Sequence, residues 1–171
     1  MNCPFCGHEN IAGVDCCERC EEPLGFMSKP RAKSPVEKSL LSDQLRSIVS
    51  GPPITVRPDT PVRAVLQLLI DHKIGCVVVT HRGAVQGMFS ERDALQRLDH
   101  ENLADDERPV SELMTASPET LEDDAEIAFA LHKMDVGGYR HLPVTRGGRV
   151  VGVVSIRDIL RYVSSRLAEV S

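Results

Sequence analysis

The 171-residue chain has no tryptophan, two tyrosines and four phenylalanines, so it lacks the aromatic surface on which single-stranded nucleic acids or sugars stack. It is also short of positive charge, with 20 Lys and Arg against 25 Asp and Glu and a formal net charge of -5. That balance argues against nucleic acid as a partner and leaves only local basic patches for phosphate. Long apolar runs are missing as well. Ala64 to Ile70 is broken by Gln67, and Ile74 to Val79 is short; neither approaches the roughly 20 residues of a helical membrane span. The N-terminal Met-Asn-Cys-Pro-Phe-Cys shows no basic start and no apolar stretch, so no secretory signal is read there and a cytoplasmic protein is expected. The length excludes an enzyme assembled from several large domains. What remains, 42% apolar and 26% charged residues, suits a chain that packs a core.

Five of the six cysteines fall in the first twenty residues: Cys3, Cys6, Cys16, Cys17 and Cys20. A reducing compartment disfavours a disulfide framework, and the segment lacks the βαβ surroundings of a redox Cys-x-x-Cys. The pairs Cys3/Cys6 and Cys17/Cys20 instead offer four soft thiolates on two tight turns, the donor set of a closed tetrahedral Zn2+ site. Gly7 follows the first pair, where such a turn calls for positive φ. A segment this short buries no core, so the metal supplies its folding free energy. Cys16 competes with Cys17 for one position, and the matching two-residue spacing favours Cys17. Iron is the other metal that four cysteines accept. Cys-Pro-Phe-Cys-Gly-His-Glu-Asn with Cys-Cys-Glu-Arg-Cys-Glu-Glu-Pro-Leu resembles the short zinc ribbons at the ends of bacterial multi-domain proteins, over residues 1–25. One arginine against five carboxylates there favours a protein contact or a structural cap over nucleic acid.

Ser28 to Lys38 is rich in Pro, Ser and Lys without apolar periodicity and reads as a solvated linker that tethers the ribbon as an appendage. Lys29, Arg31, Lys33 and Lys38 against Glu37 make it locally basic. A short amphipathic helix with Leu40, Leu41, Leu45 and Ile48 on one face is expected next.

The rest of the chain repeats itself at an offset of 65 residues. Laying Val77–Gln96 on Leu142–Arg161 gives nine identities in twenty positions, among them Gly87/Gly152, Ser90/Ser155, Arg92/Arg157 and Asp93/Asp158. Within the first copy, Ile54 to Val56 reads as a strand. Thr60-Pro61 reads as an N-cap and first helical position, followed by an apolar face of Val62, Val65, Leu66, Leu69 and Ile70. Cys76 to Thr80 and Val85 to Phe89 read as strands joined by a turn, and Ser90 opens a helix through Leu98. The order β-α-β-β-α recurs from about Glu119 to Leu167, so two copies of one α/β unit are expected to bury their apolar faces together.

This pattern resembles the cystathionine beta-synthase (CBS) domain, which comes as a tandem pair called a Bateman module. The resemblance covers residues 46 to 167. It rests on Gly87-Met-Phe-Ser-Glu-Arg-Asp93, Gly152-Val-Val-Ser-Ile-Arg-Asp158, Tyr139-Arg-His-Leu-Pro-Val144 and the Met114-Thr115 that opens the second copy. The implied organisation is a ribbon at 1–25, a linker and lead-in helix at 26–45, and repeats at 46–107 and 108–171. The resemblance also implies an adenosine nucleotide or derivative in the clefts of the pair. Asp93 and Asp158 would accept from ribose hydroxyls, and Ser90 and Ser155 would stand at helix N-termini near phosphate or ribose. Arg92, Arg157, Arg140 and His141 would approach phosphate, and Thr55 and Thr120 would mark the strand beside the base. The bland alternative is that Ser-x-x-Asp before an apolar helix is a variant capping box. Arg140 and His141 align with Gly75 and Cys76, so unequal sites are expected, with the second repeat favoured for phosphate.

The leading expectation is therefore a regulatory protein, homodimeric through its helices, that binds an adenine nucleotide and signals to a protein partner. A ligand-free CBS scaffold with the ribbon as protein or nucleic-acid adaptor is the alternative. No nucleophile with an adjacent base, no phosphate loop with its lysine and no open metal position is legible, so no enzyme is expected.

Overall fold

Valine-rich runs bounded by Gly, Pro and Asp make the strands, and apolar residues spaced three and four apart make the helices that cover them. The computed structural model describes residues 1–11, 14–24, 32, 34–49, 51–98 and 106–170. The linker cations Lys29, Arg31 and Lys33 lie outside the described residues, as does His100. The chain divides into two units. One comprises Pro52–Pro118 with Gly148–Val150, and the other Met1–Gly51, Glu119–Gly147 and Val151–Ser171.

The unit built on the first repeat contains β1 (Thr55–Val56), α2 (Val62–His72), β2 (Cys76–His81), β3 (Ala84–Ser90), α3 (Glu91–Arg97) and β4 (Thr115–Ala116). Its sheet runs β1-β2-β3-β4. β1 is parallel to β2 across α2, and β2 is antiparallel to β3 with a register shift at Val79/Thr80. Val62, Val65 and Leu69 of α2 pack with Val77, Val79 and Phe89 of the sheet, each fully buried side chain contributing roughly 1.5–3 kcal/mol. Thr60 and Pro61 behave differently from the sequence expectation. The helix begins at Val62 with Pro61 as its cap, because the Thr60 hydroxyl accepts from the Arg57 N–H at 3.1 Å and closes the preceding turn instead. Thr115 and Ala116, at the opening of the second copy, pair with Met88 and Gly87 at the edge of the first sheet.

The unit built on the second repeat contains α1 (Pro35–Leu40), β5 (Leu121–Glu122), α4 (Ile127–Gly137), β6 (His141–Arg146), β7 (Arg149–Ser155) from Val151 onward, and α5 (Ile156–Val170). Its sheet runs β5-β6-β7, with β5 parallel to β6. Leu121, Ile127, Phe129, Met134, Leu142, Val144, Val154 and Ile159 form its core together with Leu45. The single helix expected around Leu40 to Ile48 is instead α1, an irregular step, and a 3-10 turn at Leu45–Ser47. Asp43 explains the break. Its carboxylate accepts from the Tyr162 hydroxyl at 2.6 Å and Arg166 at 3.0 Å, and its carbonyl accepts the first amide of α4, Ile127 N–H, at 2.9 Å.

That last bond belongs to an exchange that runs through both units. The segment leading into each repeat is packed on the other repeat. Leu45 N–H donates to Ala125 O and Arg46 N–H to Asp123 O; at the positions 65 residues on, Val110 N–H donates to Thr60 O and Ser111 N–H to Pro58 O. Helix N-termini leave amides without intrahelical partners, and the exchanged segments supply them, Asp43 O for Ile127 and Arg108 O for Val62. The signature glycines belong to the same arrangement. A Cβ on Gly152 would lie 2.0 Å from Val49 Cγ1, and one on Gly87 2.1 Å from Met114 Sδ, with Val49 and Met114 again 65 apart.

Candidate functional site

Two knuckles of the same design open the chain. In the first, Cys3 N–H donates to His8 O and Gly7 N–H to Cys3 O; in the second, Cys17 N–H donates to Glu22 O and Glu21 N–H to Cys17 O. Each needs a left-handed residue, Gly7 at φ 70° and Glu21 at φ 59°. The knuckles bring the sulfurs of Cys3, Cys6, Cys17 and Cys20 within 4.8 Å of one another. Cys3 to Cys20 is 3.6 Å and Cys6 to Cys17 3.7 Å, against about 3.8 Å between sulfurs of a tetrahedron with 2.3 Å Zn–S bonds. The four residues thus fit a tetrahedral thiolate-binding ion. Cys16 is exposed and outside the group.

The thiols do not share one proton affinity. Burial pushes Cys17 up, but N–H donors from Cys20, Arg19 and the Asn10 amide outweigh it and bring the thiol down to about 6. Burial prevails at Cys20, pushed up to about 12. Four crowded thiolates without a cation repel one another, and a divalent ion removes that penalty. Asn10, 4% exposed, was not singled out in the sequence. Its amide donates to Cys17 Sγ at 3.5 Å and to His8 O at 2.9 Å, while its oxygen accepts Glu18 N–H at 2.9 Å, so it ties the two knuckles together.

The N-terminal cysteine segment contacts the second repeat. Pro4 O accepts Glu122 N–H of β5 at 3.2 Å. Lys133 of α4 is a buried lysine whose Nζ bonds Glu22, pairs with Glu119 at 3.3 Å and stands 5.1 Å from the centre of the Phe5 ring. Burial alone would lower its pKa; the two carboxylates overcome that and hold it above the ordinary lysine value. Sequence reasoning passed over Lys133, although the repeat alignment sets it opposite the apolar Leu68.

At the signature motifs the capping reading is realised in both repeats. Asp93 Oδ2 accepts from Ser90 N–H at 2.9 Å and Ser90 Oγ at 2.6 Å, and Asp158 Oδ2 does the same with Ser155 at 2.9 and 2.6 Å. The second carboxylate oxygens differ. Asp93 is buried, and its Oδ1 accepts from Thr115 Oγ1 at 3.2 Å with Arg97 at 3.5 Å. Asp158 is only half-buried, and among the described residues its Oδ1 meets Arg161 at 3.3 Å. Neither Thr115 nor Arg97 was anticipated as a partner of Asp93, though Arg97 stands one helical turn beyond it.

The remaining candidates divide by unit. In the second, Ile156 N–H donates to Arg140 O at 3.1 Å, which brings exposed Arg140 and half-buried His141 to the start of α5 beside Ser155, exposed Arg157 and Asp158; half-buried Thr120 immediately precedes β5. In the first, Glu91 N–H donates to Gly75 O at 3.1 Å, so the same place carries Gly75 and Cys76 with exposed Arg92, and Thr55 is exposed on β1. Among the described residues no helix is long and apolar enough to cross a membrane.

A mixed α/β unit, made twice, with Gly-x-x-Ser-x-x-Asp at each strand-to-helix junction, is the arrangement that the comparisons with known proteins recover. The CBS domain model matches residues 45–100 and 110–165, and the chain belongs to the CBS domain family. A CBS domain-containing protein of Arabidopsis thaliana, CBSCBSPB1, is 36% identical over 104 residues, 60% of this chain. The match spans 19% of that longer relative. Among solved structures, the CBS domain protein PAE2072 of Pyrobaculum aerophilum, complexed with AMP, is 28% identical with a TM-score of 0.63, covering 74% of this chain and 99% of that one. The CBS domain pair of protein MJ0100, in complex with 5′-methylthioadenosine and S-adenosyl-L-methionine, is 25% identical with a TM-score of 0.64, covering 72% and 98%. CBS-pair proteins are typically regulatory, and these relatives carry no enzymatic name.

Proposed function

We propose that this chain is a regulatory, non-catalytic CBS-pair protein. It binds an adenosine nucleotide or derivative of the AMP class, carries structural zinc on Cys3, Cys6, Cys17 and Cys20, acts in the cytoplasm as a homodimer, and passes ligand occupancy to a protein partner. The AMP-bound relative supports the ligand class. The observation that carries the choice of site is the unequal pair of carboxylates. Asp93 has its second oxygen engaged by Thr115 and Arg97, whereas Asp158 keeps its own at a half-exposed position held only by Arg161 among the described residues. Asp158 is thus the better acceptor for a ribose diol, with Ser155, Thr120, Arg140, His141 and Arg157 around it. Thr55, Ser90, Arg92 and Asp93 form the weaker counterpart.

Calorimetric titration of zinc-loaded protein with AMP, ADP, ATP, S-adenosylmethionine and GTP tests this. Micromolar binding of an adenine ligand, about -8 kcal/mol, is expected, lost in Asp158→Ala and retained in Asp93→Ala. Silence across the panel refutes the reading, and loss in Asp93→Ala alone reverses the choice of site. The completed capping boxes favour one second reading, a ligand-free scaffold whose signature residues only stabilise helices, with the ribbon as adaptor; that silence would select it.

A further inference from the structure

A buried lysine in the middle of a helix needs counter-charge, and Lys133 draws it from two distant parts of the chain. Glu22 lies two residues past Cys20, and Glu119 lies just before β5. The Phe5 ring against its ammonium sits between Cys3 and Cys6, and the neighbouring Pro4 carbonyl takes the Glu122 amide. Both knuckles therefore touch the second repeat, through Lys133 and the edge of β5. Glu119 Oε2 is buried with no hydrogen bond among the described residues, and the Lys133 ammonium at 3.3 Å compensates its charge. A ribbon whose buried apolar core among the described residues is Cys3, Cys17 and Leu24 is too small to hold both knuckles without a metal. When the knuckles open, Lys133 loses one carboxylate and the aromatic face, and with them the contacts that tie α4 to the cysteine segment.

We infer that the ribbon is a metal-dependent brace on β5, so that zinc loading and ligand binding at the second repeat are coupled through Lys133. Glu119 and Glu122 bracket Thr120 and Leu121, and β5 is hydrogen-bonded to β6, which begins at His141. Loading the ribbon fixes the strand beside which the nucleotide is proposed to lie, and chelation loosens it. By reciprocity, the ligand tightens the hold on zinc by the same factor. The ligand half rests on the nucleotide reading above, and the metal half stands without it.

The test uses the full chain, zinc-loaded or chelated, with two readouts. Hydrogen exchange of peptides covering 119–126 is expected to slow about tenfold on loading, within the ordinary range of coupling strengths, and AMP affinity to rise by a similar factor. Lys133→Met should bind one zinc per chain yet lose both responses. Glu22→Gln, which alters only the ribbon side of the pair, should weaken both and covers the case in which Lys133→Met fails to fold. Equal exchange at 119–126 in the two states overturns the brace, as does a Glu22→Gln protein with the full zinc response. Equal AMP affinity in the two states overturns the coupling. Silence toward AMP, ADP, ATP and S-adenosylmethionine in both states refutes the nucleotide reading and the ligand half with it, while the exchange result still decides the metal half.

Discussion

Gly152→Ala offers a sharp test of how the signature glycine is used. The new methyl would sit 2.0 Å from Val49 Cγ1, with Gly51 O a further neighbour at 3.4 Å. Carbon atoms rest at about 3.5–4.0 Å, so one of the two groups must move by about 1.5 Å. Val49 is β-branched and stiff at χ1, and its segment is held by Leu45 and Arg46 amides bonded to Ala125 and Asp123. Overpacking of this kind costs about 1–3 kcal/mol, or roughly 2–12 °C in Tm for a chain of this size. Calorimetric melting at fixed zinc and protein concentration measures it. Gly87→Ala is the internal control. Its Cβ would meet the thioether of Met114, which is unbranched and can swing aside, so the loss should be smaller. Adding Val49→Ala to Gly152→Ala should recover part of the loss as a favourable coupling. A Gly152→Ala protein within about 0.5 kcal/mol of its parent, the range of an ordinary surface change, would refute the packing argument.

Other outcomes follow from the same geometry. Asn10→Ala removes the side chain that joins the knuckles and should weaken zinc binding by about 10–100-fold, read by competition with a metal indicator; unchanged affinity would reduce Asn10 to a spacer. Cys20→Ser should abolish stoichiometric zinc, whereas Cys16→Ser should leave it intact, both checked by metal analysis of purified protein. The Tyr162 hydroxyl, and after it Ser42 and Arg166, hold the Asp43 carboxyl below its ordinary value. The stability Asp43 supplies is therefore complete above about pH 4 and drains away as pH falls through its folded-state pKa. Acid titration of the Tm should show this, with a shallower fall in Asp43→Asn.

Much of this was legible from the chain itself. The 65-residue offset exposed the repeat without a gap, and the capping boxes lay in the spelling of Ser90-Glu-Arg-Asp93 and Ser155-Ile-Arg-Asp158. The paired Cys-x-x-Cys spacing picked Cys17 over Cys16, and the fold brings that residue to the other three sulfurs. What escaped were effects of tertiary partners. Thr60 looked like a cap, but its hydroxyl had a nearer amide at Arg57. The apolar spacing of Leu40, Leu41, Leu45 and Ile48 suggested one helix, yet the pull of Tyr162 and Arg166 on Asp43 broke it, from more than a hundred residues away in sequence. That Thr115, at the start of the second repeat, would join the first sheet was not legible, because local pattern carries no record of which sheet a strand will join. Lys133 carried the one signal that could have been used, a charge where the sister repeat keeps a leucine.

The exchanged lead-in segments make the boundary between the repeats a poor place to regard them as separable. A cut between residues 98 and 106 would leave each half carrying the strip that seals the other's helix start and covers the other's glycine. Neither half alone would be whole, since Ile127 would lack Asp43 and Val62 would lack Arg108. Supplied together, the two pieces hold every seal needed, so the protein is built as a complementing pair whose halves happen to share one chain.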